Sequence, residues 1–343
     1  MGKHVGLSLI LIFLLFFLPW LWGAPAQKRE PDPPEPAERQ EPEQELEQEP
    51  GPAGIGGVDA GTSIRVLVGG KLQEMDMETY LIGVVRAEMP ASFAPEALKA
   101  QAVAARTYTI HKIETGGTAA HPEADACDDI NCCKAYMTYE EAARGWGAQT
   151  AAWEEKIRAA VTETDGQCIL YEGAPVLAVF HSSSAGMTQD AADVWSSSLP
   201  YLQSVTSPED ESTVPNYRST ASFAAGELKE LLQEALPEAD LSGVCSNWFT
   251  NMKQQPGGAV KSLCVGGVTV SGNQLRTILG LRSPCFTISF VEDTVTFSVT
   301  GYGHGVGMSQ YGANVLAGEG MDYKEILAWY YTGTTVETYR LQR

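Results

Sequence analysis

The chain has 343 residues, of which 44% are hydrophobic and 9% aromatic, enough to bury the core of one large domain or two ordinary ones. Its formal net charge is -20 at pH 7. Nucleic-acid binding needs a basic surface and docking onto anionic lipid needs a polybasic segment, so this charge disfavours both functions.

The chain opens with an apolar segment. Residues 5–23, "VGLSLILIFLLFFLPWLWG", approach the roughly 20 apolar residues that cross a bilayer. A cleaved signal peptide is the alternative, since "GAPA" after Trp22 offers small residues for cleavage. We expect residues 1–26 to be a transmembrane anchor or a signal sequence, and we favour the anchor, with the rest of the chain outside the cytoplasm.

A segment rich in Pro, Glu and Gln follows. It cannot bury enough apolar area to offset the entropy lost on ordering, and its charges and prolines keep it extended. We therefore predict a disordered linker at residues 27–58 that holds the folded domain away from the membrane. The linker holds nine acidic and three basic residues, so it contributes -6 of the net charge of -20.

The remaining residues, 59–343, alternate between helical and strand patterns. We predict a strand and a Gly-Gly turn at 63–71, helices at 75–88 and 94–110, helical structure at 139–162, a hairpin from 167–173 and 175–183, a helix at 225–235, a hairpin over 286–301 and a closing helix at 323–331. Asp76 is expected to cap the first helix, and Pro95 suits the first turn of the second. The fold class is α+β: a single large domain with helices packed on antiparallel strands, plus the N-terminal membrane segment.

A single carboxylate precedes the alanine-rich second helix, in "RAEMPASFAPEALKAQAVAARTYTI". Glu88 is predicted to lie in the short connection between the first two helices. Three roles are open for its carboxylate: a surface charge, a cap at the start of the next helix, or the general acid of an enzyme. In the last case, Met89, Pro90 and Phe93 are candidates for an apolar wall that raises its pKa. For Arg106 in the helix, we favour an ion pair within the core.

Three blocks together resemble one family. They are "EMPASFAPEALKAQAVAARTY" at 88–108, "HSSSAGMTQDAADVWSSSLPYLQSV" at 181–205 and "GYGHGVGMSQYGANVLAGEGMDYKEILAWYYTGT" at 301–334. In order and spacing they are similar to the stage II sporulation protein D family, whose domain also occurs in amidase-enhancer proteins. The resemblance runs from about residue 64 to about residue 337.

The resemblance implies a lytic transglycosylase, an enzyme that cleaves MurNAc–GlcNAc bonds in glycan strands lacking stem peptides and forms 1,6-anhydro-muramyl ends. It implies Glu88 as the catalytic residue, no organic cofactor, and a role in forespore engulfment at the mother-cell membrane. The implied partners are stage II sporulation proteins P and M and the denuded glycan. The alternative is a non-catalytic, glycan-binding enhancer of a cell-wall amidase.

Further residues in the matching blocks are candidates to bind the glycan through hydroxyls, amides and aromatic faces. They are Tyr201, Ser184, Thr188, His304, Gln310 and Tyr311. A packed histidine that bonds its own loop is an equal alternative for His304. Ala185 and Met187 stand where the family typically has glycine and an aromatic residue, which argues against sugar stacking at Met187.

A His/Cys cluster lies in "HPEADACDDINCCKAY". His121, Cys127, Cys132 and Cys133 have the spacing H-x5-C-x4-C-C, and relatives carry a similar cluster that binds zinc in some of them. The resemblance thus implies a structural zinc on four protein ligands. A disulfide such as Cys127–Cys133, or free thiols, is the alternative. Cys245 and Cys264 are a further candidate pair, and sequence alone does not pair Cys168 or Cys285.

Overall fold

The computed structural model describes residues 57–118, 120–130, 132–195 and 198–342. The predicted anchor at 1–26, and the predicted linker up to residue 56, lie outside these ranges. Within the described residues, no helix combines the length and the hydropathy that a membrane span requires.

The described chain starts with a hairpin that leads into two helices. Strands β1 (Ser63–Val68) and β2 (Lys71–Asp76) pair antiparallel across the predicted Gly-Gly turn. Helix α1 (Met77–Glu88) follows at once, because the Asp76 side chain accepts a hydrogen bond from the Thr79 amide and caps it. Helix α2 (Pro95–Glu114) begins at the predicted proline and runs four residues beyond the predicted end at Ile110.

The middle of the chain confirms the predicted helical region and corrects one hairpin. The elements are β3 (Ala126–Cys127), α3 (Tyr139–Trp146), α4 (Thr150–Thr162), β4 (Gln167–Tyr171), β5 (Ala174–Pro175), β6 (Phe180–His181) and α5 (Ala191–Trp195). Strand β5 pairs with β4 through Ala174 and Pro175, and of these only Pro175 belongs to the second predicted strand. The chain then leaves the sheet, and β6 pairs elsewhere.

Residues between 218 and 300 build a second hydrophobic core of their own. Its elements are β7 (Arg218–Ala224), α6 (Ala225–Ala235), β8 (Phe249–Gln254), β9 (Val260–Val265), β10 (Val268–Val270), α7 (Gly272–Leu279), β11 (Phe286–Val291) and β12 (Thr294–Thr300). They form two three-stranded antiparallel sheets, in the orders β11-β12-β7 and β10-β9-β8. The predicted helix at 225–235 and the predicted hairpin over 286–301 are confirmed here.

The chain then returns to the first core through β13 (Met308–Ser309), α8 (Gln310–Gly318), α9 (Tyr323–Tyr330) and β14 (Thr335–Thr338). Strand β13 pairs parallel with β6, and β14 pairs antiparallel with β4. Helix α2 lies at the centre, against α1, α4, α8, α9 and β4. Its alanines at 97, 100, 104 and 105 are fully buried, and their small side chains let these neighbours approach closely.

The α+β class is confirmed, with two short parallel pairings added to the antiparallel sheets. The predicted core role of Arg106 is also confirmed. Its side chain is fully buried and its Nε donates to Asp59 Oδ2 at 2.8 Å. The amides of Val58 and Asp59 donate to the Asp165 carboxylate at 2.8 Å each, which holds the start of the described chain against the connection between α4 and β4.

Candidate active site

Glu88 is the last residue of α1 rather than part of the following connection, because the Met89 amide still bonds the Val85 carbonyl. Its side chain is half-buried, while Met89 and Phe93 are buried and Pro90 is exposed. Burial raises the pKa of Glu88 above its ordinary value, against the opposing effects of a nearby ammonium and a backbone N–H. The site therefore favours the protonated form of this carboxyl.

Two contacts hold Glu88 from opposite sides. The Ala135 amide donates to Glu88 Oε1 at 3.1 Å. The Gln310 side chain donates its Nε2–H to the Glu88 carbonyl at 2.8 Å and to Gln101 Oε1 at 3.3 Å. The loop after β3 and the start of α8 thus fix the carboxyl group and the backbone of the same residue.

The ammonium near Glu88 belongs to Lys134. Its Nζ lies 4.0 Å from the ring centroids of both Tyr108 and Phe180, a double cation–π contact. Burial lowers the pKa of Lys134 to about 8, and the Glu88 charge opposes this shift. The Lys134 charge in turn opposes the rise in the pKa of Glu88.

A glycine-rich loop, residues 301–307, places His304 near enough to Lys134 for the lysine charge to affect the pKa of the histidine. Gly305 and Gly307 have positive φ, and a Cβ at either would overlap Gln189 or Val179, so this tight path requires glycine. His304 Nδ1 accepts the Val306 amide at 3.1 Å, as the alternative of a loop-bonding histidine expects.

Two further aromatic side chains lie next to His304. The ring centroids of His181 and of Trp195 are each 5.7 Å from that of His304. Burial lowers the pKa of His181 to about 4 and the pKa of His304 well below its ordinary value, so both rings are neutral near pH 7. Trp195 is 39% exposed and gives this edge an apolar face.

The six predicted substrate-binding residues divide into two groups. Gln310 holds Glu88, and Tyr311 is half-buried with its ring centroid 4.9 Å from that of Phe93 in the apolar wall. His304 is also half-buried. Gln310 and Tyr311 thus contact Glu88 and its neighbour Phe93, and glycan binding by Gln310, Tyr311 and His304 stays a prediction.

The other three, Ser184, Thr188 and Tyr201, are buried and bonded within the protein. Ser184 Oγ lies 2.8 Å from His181 Nε2. Thr188 Oγ1 accepts the Val205 amide at 2.9 Å, and the Tyr201 hydroxyl accepts the Leu177 amide at 3.2 Å. The structure thus gives them bonds that support the fold, and direct contact of these three with a glycan stays a prediction.

The cysteine loop brings three thiols together. Cys127, Cys132 and Cys133 place their Sγ atoms within 4.8 Å of one another, and His121 is not part of this group. The Cys132 and Cys133 sulfurs are 3.9 Å apart, close to the separation of about 3.8 Å that two thiolates adopt on tetrahedral zinc. Burial raises the pKa of Cys127 to about 12, so a thiolate there needs a compensating cation. Three of the four predicted ligands therefore fit a thiophilic metal.

All seven cysteines are free thiols in the structure, including the candidate pairs Cys127–Cys133 and Cys245–Cys264. Lys112 donates to the Cys132 carbonyl, and its Nζ lies 3.5 Å from Cys132 Sγ.

Sequence reasoning missed Lys134, Gln101 and Trp195. Lys134 directly follows the cysteine pair, and Trp195 lies inside a matching block, so position gave a signal for both. Gln101 also lies inside a matching block, but its role depends on Gln310, 209 residues away.

Comparison with known proteins decides the family. A family model described as SpoIID, stage II sporulation protein, matches residues 69–171. Stage II sporulation protein D of Bacillus subtilis (strain 168) is 38% identical over 77% of this chain and 75% of its own length. The chain belongs to the SpoIID family. The SpoIID protein of Bacillus amyloliquefaciens is 36% identical over the same shares of the two chains.

A third relative has a similar region within a much longer chain. The amidase enhancer of Bacillus subtilis (strain 168) is 31% identical over 76% of this chain but only 40% of its own length. The SpoIID resemblance of the three sequence blocks is thus confirmed, and membership places the chain among sporulation proteins.

Proposed function

We propose that the folded domain is a peptidoglycan lytic transglycosylase that cleaves MurNAc–GlcNAc bonds in glycan strands lacking stem peptides. The observation that carries this proposal is Glu88: a half-buried carboxyl with a raised pKa, held at its side chain by Ala135 and at its backbone by Gln310. A general acid for a glycosidic oxygen has to be protonated near neutral pH and fixed in position.

One carboxyl group suffices for this reaction. Glu88 donates its proton to the oxygen that leaves C1 of the muramyl residue, and the bond between C1 and that oxygen breaks. The muramyl C6 hydroxyl attacks C1, and the Glu88 carboxylate accepts the hydroxyl proton. The products are a 1,6-anhydro-muramyl end and a free GlcNAc end, and Glu88 is again protonated. Hydrolytic glycosidases instead use two carboxyl groups.

The cysteine cluster has a structural part in this proposal. Zinc, when bound, would be held by Cys127, Cys132 and Cys133 and would fix the loop that carries Lys134 and Ala135. Glu88 would then be positioned by a loop that the metal stabilises. No organic cofactor is needed.

The setting is proposed from family membership and the sequence. The enzyme acts in forespore engulfment, anchored by residues 1–26 in the mother-cell membrane with its catalytic domain outside the cytoplasm. Stage II sporulation proteins P and M are the proposed partners, and the stripped glycan strand is the proposed substrate.

The test is the Glu88→Gln variant on purified glycan strands stripped of stem peptides, with mass analysis of the products. We expect release of 1,6-anhydro-muramyl products to fall about 100-fold or more. Glu227→Gln, an exposed glutamate on α6, is the matched control and should keep full activity. Undiminished release by Glu88→Gln rules the proposal out.

The amidase-enhancer relative supports a second candidate, a glycan-binding module that stimulates a partner amidase without cutting. In that case the wild-type protein binds stripped strands, releases no anhydro product and raises amidase activity, and Glu88→Gln keeps that stimulation.

A further inference from the structure

Two arginines of the second core make no ion pair with any residue in the described ranges. Arg276 lies on α7, and Arg282 follows that helix. Both are half-buried, in a chain whose 43 acidic residues outnumber its 23 lysines and arginines. Half-buried guanidinium groups without a counter-charge lose hydration, and the contacts that the structure gives these two replace it only in part. Such a pair is suited to an anion from outside.

The Arg276 side chain and the glycine-rich loop both bond the backbone of Arg282, and the Arg282 side chain packs on Tyr302 of that loop. Arg276 Nε donates to the Arg282 carbonyl at 3.2 Å, and the Gly303 amide donates to the same carbonyl at 2.8 Å. The Arg282 guanidinium carbon lies 4.5 Å from the Tyr302 ring centroid. Its Nε is buried and has no hydrogen-bond partner in the structure.

The same loop connects this arginine pair to the candidate catalytic residue. On α7, one turn before Arg276, Asn273 Nδ2 lies 3.5 Å from the His304 carbonyl. Beyond His304 the loop continues into Gln310, which bonds the Glu88 carbonyl, and into Tyr311, which packs on Phe93. The charges of Arg276 and Lys134 both contribute to the low pKa of His304. The segment from Gly303 to Gln310 thus bonds Arg282 near its start and Glu88 at its end.

The proposed substrate supplies an anion at regular intervals. A muramyl residue stripped of its stem peptide ends in a free lactyl carboxylate, whereas an intact stem converts that carboxyl into a neutral amide. We infer that Arg276 and Arg282 bind the free lactyl carboxylate of a muramyl residue and so select strands that lack stem peptides. The inference rests on the proposed function, because it names what distinguishes the substrate of that site. Planar guanidinium groups match a carboxylate with two parallel hydrogen bonds, which an amide cannot reproduce.

The experiment compares two matched substrates. One is the stripped glycan oligomer with free lactyl carboxylates, and the other is the same oligomer with those carboxyls converted to primary amides. We expect the wild-type protein to have a KM about 10-fold or more lower for the acid form. In Arg276→Gln/Arg282→Gln the KM for the acid form should rise by about the same factor, with kcat and the KM for the amide form nearly unchanged.

Two variants separate carboxylate binding from support of the fold. Arg276→Lys/Arg282→Lys keeps the charges and should keep part of the preference. Arg218→Gln removes an exposed arginine paired with Glu211 and should keep the full preference for the acid form. An equal loss on both substrates, or no change on either, overturns the inference and leaves the Arg282–Tyr302 stack as a structural contact only.

Failure of the proposed function gives a different result. If the wild-type protein releases no anhydro product from either oligomer, calorimetric Kd values for the two oligomers replace KM. A preference for the acid form that the double Gln variant abolishes then supports carboxylate recognition by a non-cutting protein. Equal Kd values for the two oligomers overturn it.

Discussion

The Gln310 side-chain amide donates to the backbone carbonyl of Glu88 at 2.8 Å and so joins two residues that are 222 positions apart. Gln310 opens α8 and Glu88 ends α1, so the bond ties together the two ends of the first core. Gln310 is buried, and its amide also bonds Gln101. The position of Glu88 relative to a bound glycan thus depends on both halves of the chain.

Replacing Gln310 with Leu should therefore lower kcat more than it raises KM. The Leu side chain fills a similar volume but leaves the Glu88 carbonyl without its partner, and a small displacement of a catalytic acid is costly. We expect kcat for anhydro-product release to fall about 10-fold. Gln254→Leu, which removes an exposed glutamine of β8, is the control and should leave kcat and KM unchanged. A rise in KM alone would point to glycan binding by Gln310 instead.

Lys134 should set the upper pH limit of the activity. Glu88 has to be protonated to act as an acid, so activity falls as pH rises through its pKa. The Lys134 ammonium lowers that pKa, and Lys134→Met should raise it and move the decline in kcat to higher pH. Lys134→Arg keeps the charge and should move the decline in kcat less. Lys324→Met, at an exposed lysine near the Tyr323 ring, should leave the profile in place. A uniform loss of activity without a shift would indicate a packing role only.

Glu88 should lower the stability of the folded state at neutral pH. Burial raises its pKa above the value of 4.5 for an unperturbed carboxyl. The folded state then holds a proton that the unfolded state loses above pH 4.5, so this group's contribution to the free energy of unfolding falls as pH rises through the window above that value. Glu88→Gln removes the effect and should unfold at a higher temperature than the wild type at pH 7. The difference should shrink at pH 4, and a difference that is constant with pH would contradict the raised pKa.

Local patterns predicted much of the fold. The Asp76 cap, Pro95 at the start of α2 and the helix at 225–235 all depend on neighbours in sequence, and each is present in the structure. The pairing of β6 with β13 depends on residues more than 120 positions apart, so the strand pattern at 175–183 led to the wrong hairpin. The site shows the same division. Glu88 and the thiols were found from motifs, whereas Lys134 gains its role only where Tyr108 and Phe180 meet in the fold.

Arg106 should be among the most costly residues to replace. It is fully buried and pairs with Asp59, which is 3% exposed. Arg106→Met leaves that carboxylate buried without a partner and should lower the free energy of unfolding by about 3–5 kcal/mol, measured by urea denaturation. Adding Asp59→Leu removes the orphaned charge and should recover part of the loss. Arg218→Met breaks an exposed pair and should cost less than about 1 kcal/mol. A small effect of Arg106→Met would mean that water reaches Asp59.

The cysteine cluster allows a test of whether three thiolates hold the metal, or three thiolates together with His121. Because Cys127, Cys132 and Cys133 converge and His121 stays outside the group, we expect purified protein to carry about one zinc per chain, lost in Cys133→Ser and kept in His121→Ala. Cys264→Ser, on β9 of the second core, is the matched thiol control and should keep the metal. Elemental analysis measures the stoichiometry.

Loss of zinc from His121→Ala would show that the imidazole joins the thiolates when the metal binds, as the family resemblance implies. Wild-type protein without zinc would instead leave three neighbouring thiols, with the Lys112 Nζ 3.5 Å from Cys132 Sγ.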